Sequence, residues 1–184
     1  MRPLDALGLA AWRQQVVAPA SGRVLEIGIG TGLNLPYYGQ DARLVAIEPD
    51  GEMLRRAMAR AEETGQAVAL VRASAEALPF VDGAFDAAVA TLVFCSVADA
   101  AQGLGEARRV LRPGGCLRLL EHVRATPPLM AALQDRLTPT WQRLAAGCRL
   151  NRNTLEAARQ ANFEARLART TFMGILQEIE ARRP

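Results

Sequence analysis

Five runs rich in Val, Ile and Leu recur along the chain, at VLEIG, RLVAIE, VALVRA, FDAAVATLVF and CLRLLEHV. Between them lie longer stretches with helical spacing of apolar side chains, such as GEMLRRAMARAEE and DAAQGLGEARRVL. The runs are continuously apolar rather than alternating, which is the pattern of strands buried under helices on both faces. Strands alternating with helices through right-handed crossovers predict an α/β fold: a Rossmann-like, doubly wound, mostly parallel sheet with helices on both faces. A chain of 184 residues, 50% hydrophobic, suits a single domain over 1–184, with an N-terminal helix in 1–20.

Pro113, Gly114 and Gly115 follow a helix ending near Leu111 and stop it, so the fifth strand is expected from about Cys116. From Pro127 to Gly147, Leu129, Leu133, Leu137, Trp141 and Leu144 recur every three or four residues, with Pro139 among them. This predicts two short amphipathic helices in an insertion over 124–150. They serve either as a lid or as core packing against the sheet. Their polar face is not strongly basic, so a membrane-surface role ranks third.

Val24-Leu25-Glu26-Ile27-Gly28-Ile29-Gly30-Thr31-Gly32 leads an apolar strand into a turn with glycine at alternate positions, where missing side chains let a ligand approach the backbone. Any one of these glycines equally suits an ordinary strand-to-helix turn. A second mark is Glu48, which ends the next run 20 residues after Gly28, where an acid can accept hydrogen bonds from both hydroxyls of a ribose. The spacing is GxGxG, not the GxGxxG that seats a pyrophosphate on a helix N-terminus. Glu26 would repel pyrophosphate and suits a ligand bearing a positive amino group and a sulfonium. The loop therefore favours S-adenosylmethionine over NAD.

Further landmarks follow in order: Ala73-Ser74-Ala75-Glu76-Ala77-Leu78-Pro79-Phe80, then Phe85-Asp86, then Val110-Leu111-Arg112-Pro113-Gly114-Gly115. The set resembles the class I S-adenosylmethionine-dependent methyltransferases, whose first motif is an acid followed by GxGxG and whose second is the acid ending strand two. The resemblance implies that S-adenosyl-L-methionine, and S-adenosyl-L-homocysteine after transfer, is held by Glu26, Gly28, Gly30, Gly32, Asn34, Glu48, Pro49, Met53, Ser74, Ala75, Glu76, Thr91 and Leu92, with no metal. Many relatives carry Asp in place of Ser74, so Ser74 or backbone takes the contact to the adenine amino group. Met53 packs against adenosine or belongs to the helix core.

A narrower resemblance, spanning nearly the whole chain, is to a branch holding alkyl-thiol methyltransferases and bacterial phospholipid and quinone methyltransferase-like proteins. It is carried by Asn34-Leu35-Pro36-Tyr37-Tyr38, Cys95-Ser96-Val97, Glu121-His122-Val123, and Gln134-Asp135-Arg136-Leu137 through Gly147-Cys148 to Leu150-Asn151-Arg152. It implies methyl transfer to a small, apolar acceptor, with thiol S-methylation favoured and phospholipid N- or quinone C-methylation as the alternative. A non-catalytic cofactor-binding module is the alternative of another class. Animal members of the branch carry an N-terminal hydrophobic anchor, but nothing in Met1 to Val17 is apolar enough to match it, so a membrane location is not carried over. The tail after Phe163 is short for the family's last two strands, which predicts a small wall on that side of the site.

Methyl transfer from a sulfonium chiefly requires aligning a nucleophile in line with the methyl group. For a thiol of pKa about 8.5 a modest local shift suffices, whereas an unactivated hydroxyl demands a positioned base. His122, the sole histidine, ends the fifth run at the edge where open α/β sheets bind ligands. It deprotonates or orients the acceptor, or it is a satisfied structural histidine. Tyr37, Tyr38, Cys95, Trp141, Cys148, Asn151 and Arg152 are substrate-lining candidates; for Tyr37, Tyr38, Asn151 and Arg152, ordinary loop packing or a helix cap at Asn153 is the alternative. Cys95 and Cys148 are expected to act as small hydrophobes, without covalent catalysis.

A net charge of +3 with interleaved acids and bases, and no tetrapeptide of the NPPY or DPPY kind, argues against a nucleic-acid partner and leaves a small molecule as the substrate. Three cysteines without CxxC spacing suggest neither a disulfide scaffold nor a zinc site. A cytoplasmic location and no transmembrane segment are expected, with peripheral membrane contact not favoured.

Overall fold

The five apolar runs become parallel strands because only a covered sheet can bury them on both faces. The computed structural model describes residues 8–145 and 147–184. Its elements are α1 (Leu9–Val17), β1 (Gly22–Ile27), a 3-10 turn (Leu35–Tyr37), β2 (Ala42–Ile47), α2 (Gly51–Thr64), β3 (Val68–Val71), β4 (Phe85–Thr91), α3 (Ala100–Val110), β5 (Leu111–His122), α4 (Pro128–Leu144), α5 (Thr154–Gln160), β6 (Glu164–Thr171) and β7 (Leu176–Arg182). Of the helix expected over 1–20, residues 1–7 lie outside the described residues.

The sheet order is β3-β2-β1-β4-β5-β7-β6. Strands β1 to β5 run parallel, and β7 enters antiparallel between β5 and β6. The chain winds outward in both directions from the β1/β4 pair, so the loops leaving these two strands diverge and open a crevice at their carboxyl ends.

Each sheet face carries its own core. Leu25, Ile27, Ala88 and Leu119 meet Phe94, Leu104 and Val110 on one side. Val24, Ala46, Val89 and Leu120 meet Trp12, Val16, Leu35 and Ala57 on the other. The alternation follows the two-residue period of a strand. Asp50 caps α2 by accepting from the backbone N–H groups of Glu52 (2.7 Å) and Met53 (3.0 Å), and Asp99 caps α3 through Gln102 (3.0 Å).

Three local expectations change. Strand β5 begins at Leu111, not Cys116, because Leu111 already pairs with Phe85; an irregular register between Phe85 and Ala87 absorbs the turn containing Gly114. The segment around Pro139 is one continuous helix. Pro139 forgoes its own N–H bond and crowds the carbonyl four residues back, while beside it the Thr138 hydroxyl donates to the Gln134 carbonyl at 2.7 Å. The tail accommodates both final strands, of 8 and 7 residues, by turning tightly through Phe172, Met173 and Gly174, all at positive φ.

Leu129, Leu133, Leu137, Trp141 and Leu144 are 46% to 89% exposed, so this stripe of α4 does not pack into the core. The helix is instead anchored by buried Gln134, which accepts from Ala125 N–H (2.6 Å) and donates to the Val123 carbonyl (3.2 Å). Among the described residues no helix is long and apolar enough to cross a membrane.

Candidate functional site

A cavity of about 1030 Å³ opens at the carboxyl ends of β1, β2, β4 and β5. Its size is at the top of the range of roughly 300–1,000 Å³ for one drug-sized ligand, which leaves room for a donor and an acceptor together. Gly28, Gly30, Glu48, Pro49, Met53, Ser74, Ala75, Glu76, Thr91 and Leu92 line it, as do His122, Cys95, Trp141 and Cys148.

The glycine loop divides its labour. Gly30 has φ +58°, and a Cβ there would meet nothing within 4 Å, so its bare backbone faces open space. At Gly28 (φ +67°) a Cβ would strike Val93 at 2.7 Å, and at Gly32 (φ +77°) Leu35 Cδ1 at 2.8 Å. Gly32 therefore serves the packing of the loop on α2 and does not line the cavity.

Glu48 is buried, with both oxygens on backbone donors: Oε2 accepts from Gly30 N–H at 3.0 Å and Oε1 from Asp50 N–H at 3.1 Å. Each oxygen keeps lone-pair capacity for a further donor. Across the cavity, the Ser74 hydroxyl donates to Glu76, holding that carboxyl below its usual range. Ser74 is thus committed to a neighbour, and Glu76 is the ionised acid of this wall. Met53 is 41% exposed and lines the cavity, so it is not helix core.

Glu26 and Asn34 do not line the cavity. Glu26 shares the strand face of Val24, and the period of two turns it toward α1, where it is 1% exposed. There Glu26 Oε1 accepts from Asn34 Nδ2 at 2.8 Å, Asn34 Nδ2 also reaches Thr91 Oγ1 at 3.0 Å, and Arg13 Nη1 donates to Asn34 Oδ1 (3.0 Å) and Thr91 Oγ1 (2.7 Å). Burial pushes the Glu26 carboxyl up to about 7, against the opposing pull of Asn34, Tyr38 and Arg13. Arg13 itself lines the cavity. It was absent from the sequence candidates, although a lone Arg beside Trp12, Val16 and Val17 in an apolar helix is the signal that could have found it. Arg118, donating to the Val16 carbonyl at 2.8 Å, holds α1 over the sheet.

Glu121 is a second residue the motifs did not single out for the site. Fully buried, it accepts from the backbone N–H groups of Val93 (3.0 Å), Phe94 (2.9 Å) and Cys95 (3.0 Å), and so shapes the turn after β4. Its signal was an acid directly after Leu119 and Leu120 in the fifth run, where burial of a carboxylate demands partners. Burial raises it to about 7 despite those three bonds. Leu92 opens the turn at φ +59°, a costly conformation for a non-glycine residue.

His122 ends β5 in the cavity wall, with Nδ1 buried and without a hydrogen-bond partner among the described residues; burial lowers its pKa, leaving a neutral imidazole at neutral pH. Cys148 lines the cavity with Cys95, and its thiol is pushed downward by Cys95, Trp141 and Arg152.

Tyr37, Tyr38, Asn151 and Arg152 do not line this cavity. Tyr38 is buried beside Glu26, and Tyr37 packs on the core beneath α1. Asn151 donates to Asp135 at 3.0 Å outside the cavity. Arg152 points behind its wall and donates to the carbonyls of Phe94 (2.5 Å) and Val97 (2.7 Å).

A doubly wound sheet with a bare glycine turn and a buried acid at the end of β2 defines a Rossmann-like nucleotide-type binding domain. The methyltransferase domain model matches residues 25–119, from β1 into β5, and the chain belongs to that family. It is 36% identical over 150 residues to human thiol S-methyltransferase TMT1B, covering 78% of this chain and 62% of that protein. It is 36% identical over 118 residues to phosphatidylethanolamine N-methyltransferase of Cereibacter sphaeroides, covering 63% and 58% respectively. The chain spans 59% to 64% of the length of the thiol methyltransferases it matches. Its fold resembles that of a SAM-dependent methyltransferase from Thermotoga maritima, with a TM-score of 0.72, 21% identity, and coverage of 96% of this chain and 89% of that one.

Proposed function

We infer that the chain is an S-adenosyl-L-methionine-dependent methyltransferase, one domain over 1–184, acting on a small apolar thiol in the reducing cytoplasm. The observation that carries this is the single cavity holding Gly30 and Glu48 at one end and His122 in an apolar wall at the other. The residues suit the cofactor: the Gly30 cradle is open, Glu48 retains acceptor capacity for a ribose, and Met53, Ala75 and Leu92 offer apolar contact for a base. Glu76 takes over the adenine amino contact from Ser74, and Arg13 pairs with the carboxylate of the methionine part.

When bound, the cofactor supplies a methyl group on a sulfonium, a good leaving group. The chain's part is to exclude water, align the acceptor and accept or hold its proton. His122, neutral and with an unpartnered Nδ1, is suited to take a thiol proton. The segment over 124–150 acts as a lid, with Trp141, Ala145 and Cys148 reaching the cavity.

A phospholipid amine is the second acceptor, supported by the exposed Trp141 and Phe172 in the cavity wall and the exposed Leu133 and Leu137 on the same helix as Trp141.

Calorimetric titration with S-adenosyl-L-methionine and S-adenosyl-L-homocysteine, wild type against Glu48→Ala, tests the cofactor site. An acceptor panel of thiols, quinones and phospholipid vesicles then ranks substrates. Binding weakened by the substitution, with turnover of thiols, supports the reading. No binding of either ligand overturns it, and binding without turnover of any acceptor favours a non-catalytic module.

A further inference from the structure

Cys95 and Cys148 stand 53 positions apart in the chain and meet in the cavity wall. Cys95 lies in the turn after β4, and Cys148 in the segment that follows α4. The backbone N–H of Arg149 donates to the Cys95 carbonyl at 2.8 Å. The nitrogen and the oxygen of that bond each lie about 2.4 Å from the α-carbon of Cys148 and Cys95. With planar trans peptides and a near-linear hydrogen bond, the two α-carbons are about 7 Å apart or less, the separation a disulfide requires. Both side chains line the same cavity, and each thiol shifts the pKa of the other, Cys95 upward and Cys148 downward.

The two sulfurs are unlike. Cys148 is partly exposed and lines the cavity, and the neighbouring Cys95, Trp141 and Arg152 all pull its thiol downward. Cys95 is 3% exposed, and the neighbouring Cys148, its burial and Glu121 push its thiol up. A cysteine reachable from the cavity beside a buried one within disulfide range is the arrangement of an attacking and a resolving cysteine.

We propose that Cys148 and Cys95 form a dithiol site in the acceptor cavity that exchanges with low-molecular-weight disulfides, Cys148 attacking and Cys95 resolving. The Cys148 thiolate attacks one sulfur of R–S–S–R, forming a mixed disulfide as one RS⁻ departs. Cys95 then attacks the Cys148 sulfur, its proton passes to the departing thiolate, and a second RSH leaves. Two protein thiols are oxidised to one disulfide and one external disulfide is reduced to two thiols. The internal bond ties the segment after α4 to the turn after β4, two walls of the same cavity. The exchange needs no methyl donor, so it stands or falls separately from the methyltransferase reading.

The test uses the fully reduced chain and glutathione disulfide, without S-adenosyl-L-methionine, followed by intact mass and non-reducing peptide mapping. Expected are the loss of two hydrogens, a peptide cross-link joining Cys95 to Cys148, and a free Cys116. Cys95→Ser should trap one glutathionyl group on Cys148, Cys148→Ser should abolish the cross-link, and Cys116→Ser should change neither result. Alkylation at pH 6.5 should modify Cys148 at least about 10-fold faster than Cys116. A stable glutathionyl adduct on wild-type Cys148 without the cross-link, or reaction confined to Cys116, overturns the proposal. The wild-type map decides even where a variant fails to fold.

Discussion

Glu48 Oε2 accepts the backbone N–H of Gly30 at 3.0 Å, so the acid that ends the second strand also fixes the turn that ends the first. Charged hydrogen bonds of this kind contribute about 1.5–3 kcal/mol. Glu48→Ala should therefore weaken S-adenosyl-L-homocysteine binding by about 10- to 100-fold, read by calorimetry. The same variant should speed amide exchange at Gly30, since the loop loses its tether.

Gly30→Ala and Gly32→Ala should separate binding from stability. Both place a side chain at positive φ, a cost of about 1 kcal/mol. At Gly32 the methyl also meets Leu35 and, at 3.3 Å, the Ala57 α-carbon, so that variant should lose about 2–4 kcal/mol in denaturant melts. Gly30→Ala should melt near wild type yet bind the cofactor markedly less well, because its methyl enters the open cradle.

Arg13 is placed to test the role of α1. Arg13→Met keeps the Glu26–Asn34 hydrogen bond available while removing the cation from the cavity. Affinity for S-adenosyl-L-homocysteine should fall about 10-fold or more, and decarboxylated analogues should lose less. Equal losses for both ligands would remove the carboxylate-pairing role.

Stability should depend on pH through Glu26 and Glu121, both raised to about 7 by burial. Between their unfolded values near 4.5 and their folded values near 7, the folded chain binds more protons than the unfolded one. Their contribution is thus complete below about pH 4.5 and is lost as pH rises through about 7. Glu121→Gln should flatten this slope in melts from pH 5 to 8. It should also slow turnover, because one amide cannot accept all three N–H groups of Val93, Phe94 and Cys95.

His122, lowered by burial, is neutral at pH 7. If it takes the acceptor proton, kcat/KM for a thiol should fall on the acid side, with a midpoint below 6.5. His122→Gln should remove that limb and lower the rate by about 100-fold with cofactor affinity unchanged. An unaltered pH profile in the variant would assign His122 a structural part.

Most of the fold was legible in the chain because its signals are local. A continuously apolar run must be covered on both faces, and a glycine tolerates positive φ by itself. The glycine turn, Glu48 and the 74–76 wall of the site were readable for the same reason. Pro139 and the start of β5 were misjudged where a neighbouring contact outweighed a local stop signal: the Gln134 anchor in one case, the Leu111–Phe85 pairing in the other.

What the tertiary structure decided are relationships between residues far apart in sequence. Glu26 turned away from the cavity because its strand face meets α1, and only there do Asn34, Thr91 and Arg13 gather around it. Glu121 found its donors in the turn after β4, and the Arg149 N–H brought Cys148 beside Cys95. A buried polar group must be satisfied, a rule that single residues announce in the sequence. Which partner satisfies it depends on how packed elements bring distant backbone and side chains within hydrogen-bonding reach, and that is settled only by the folded chain.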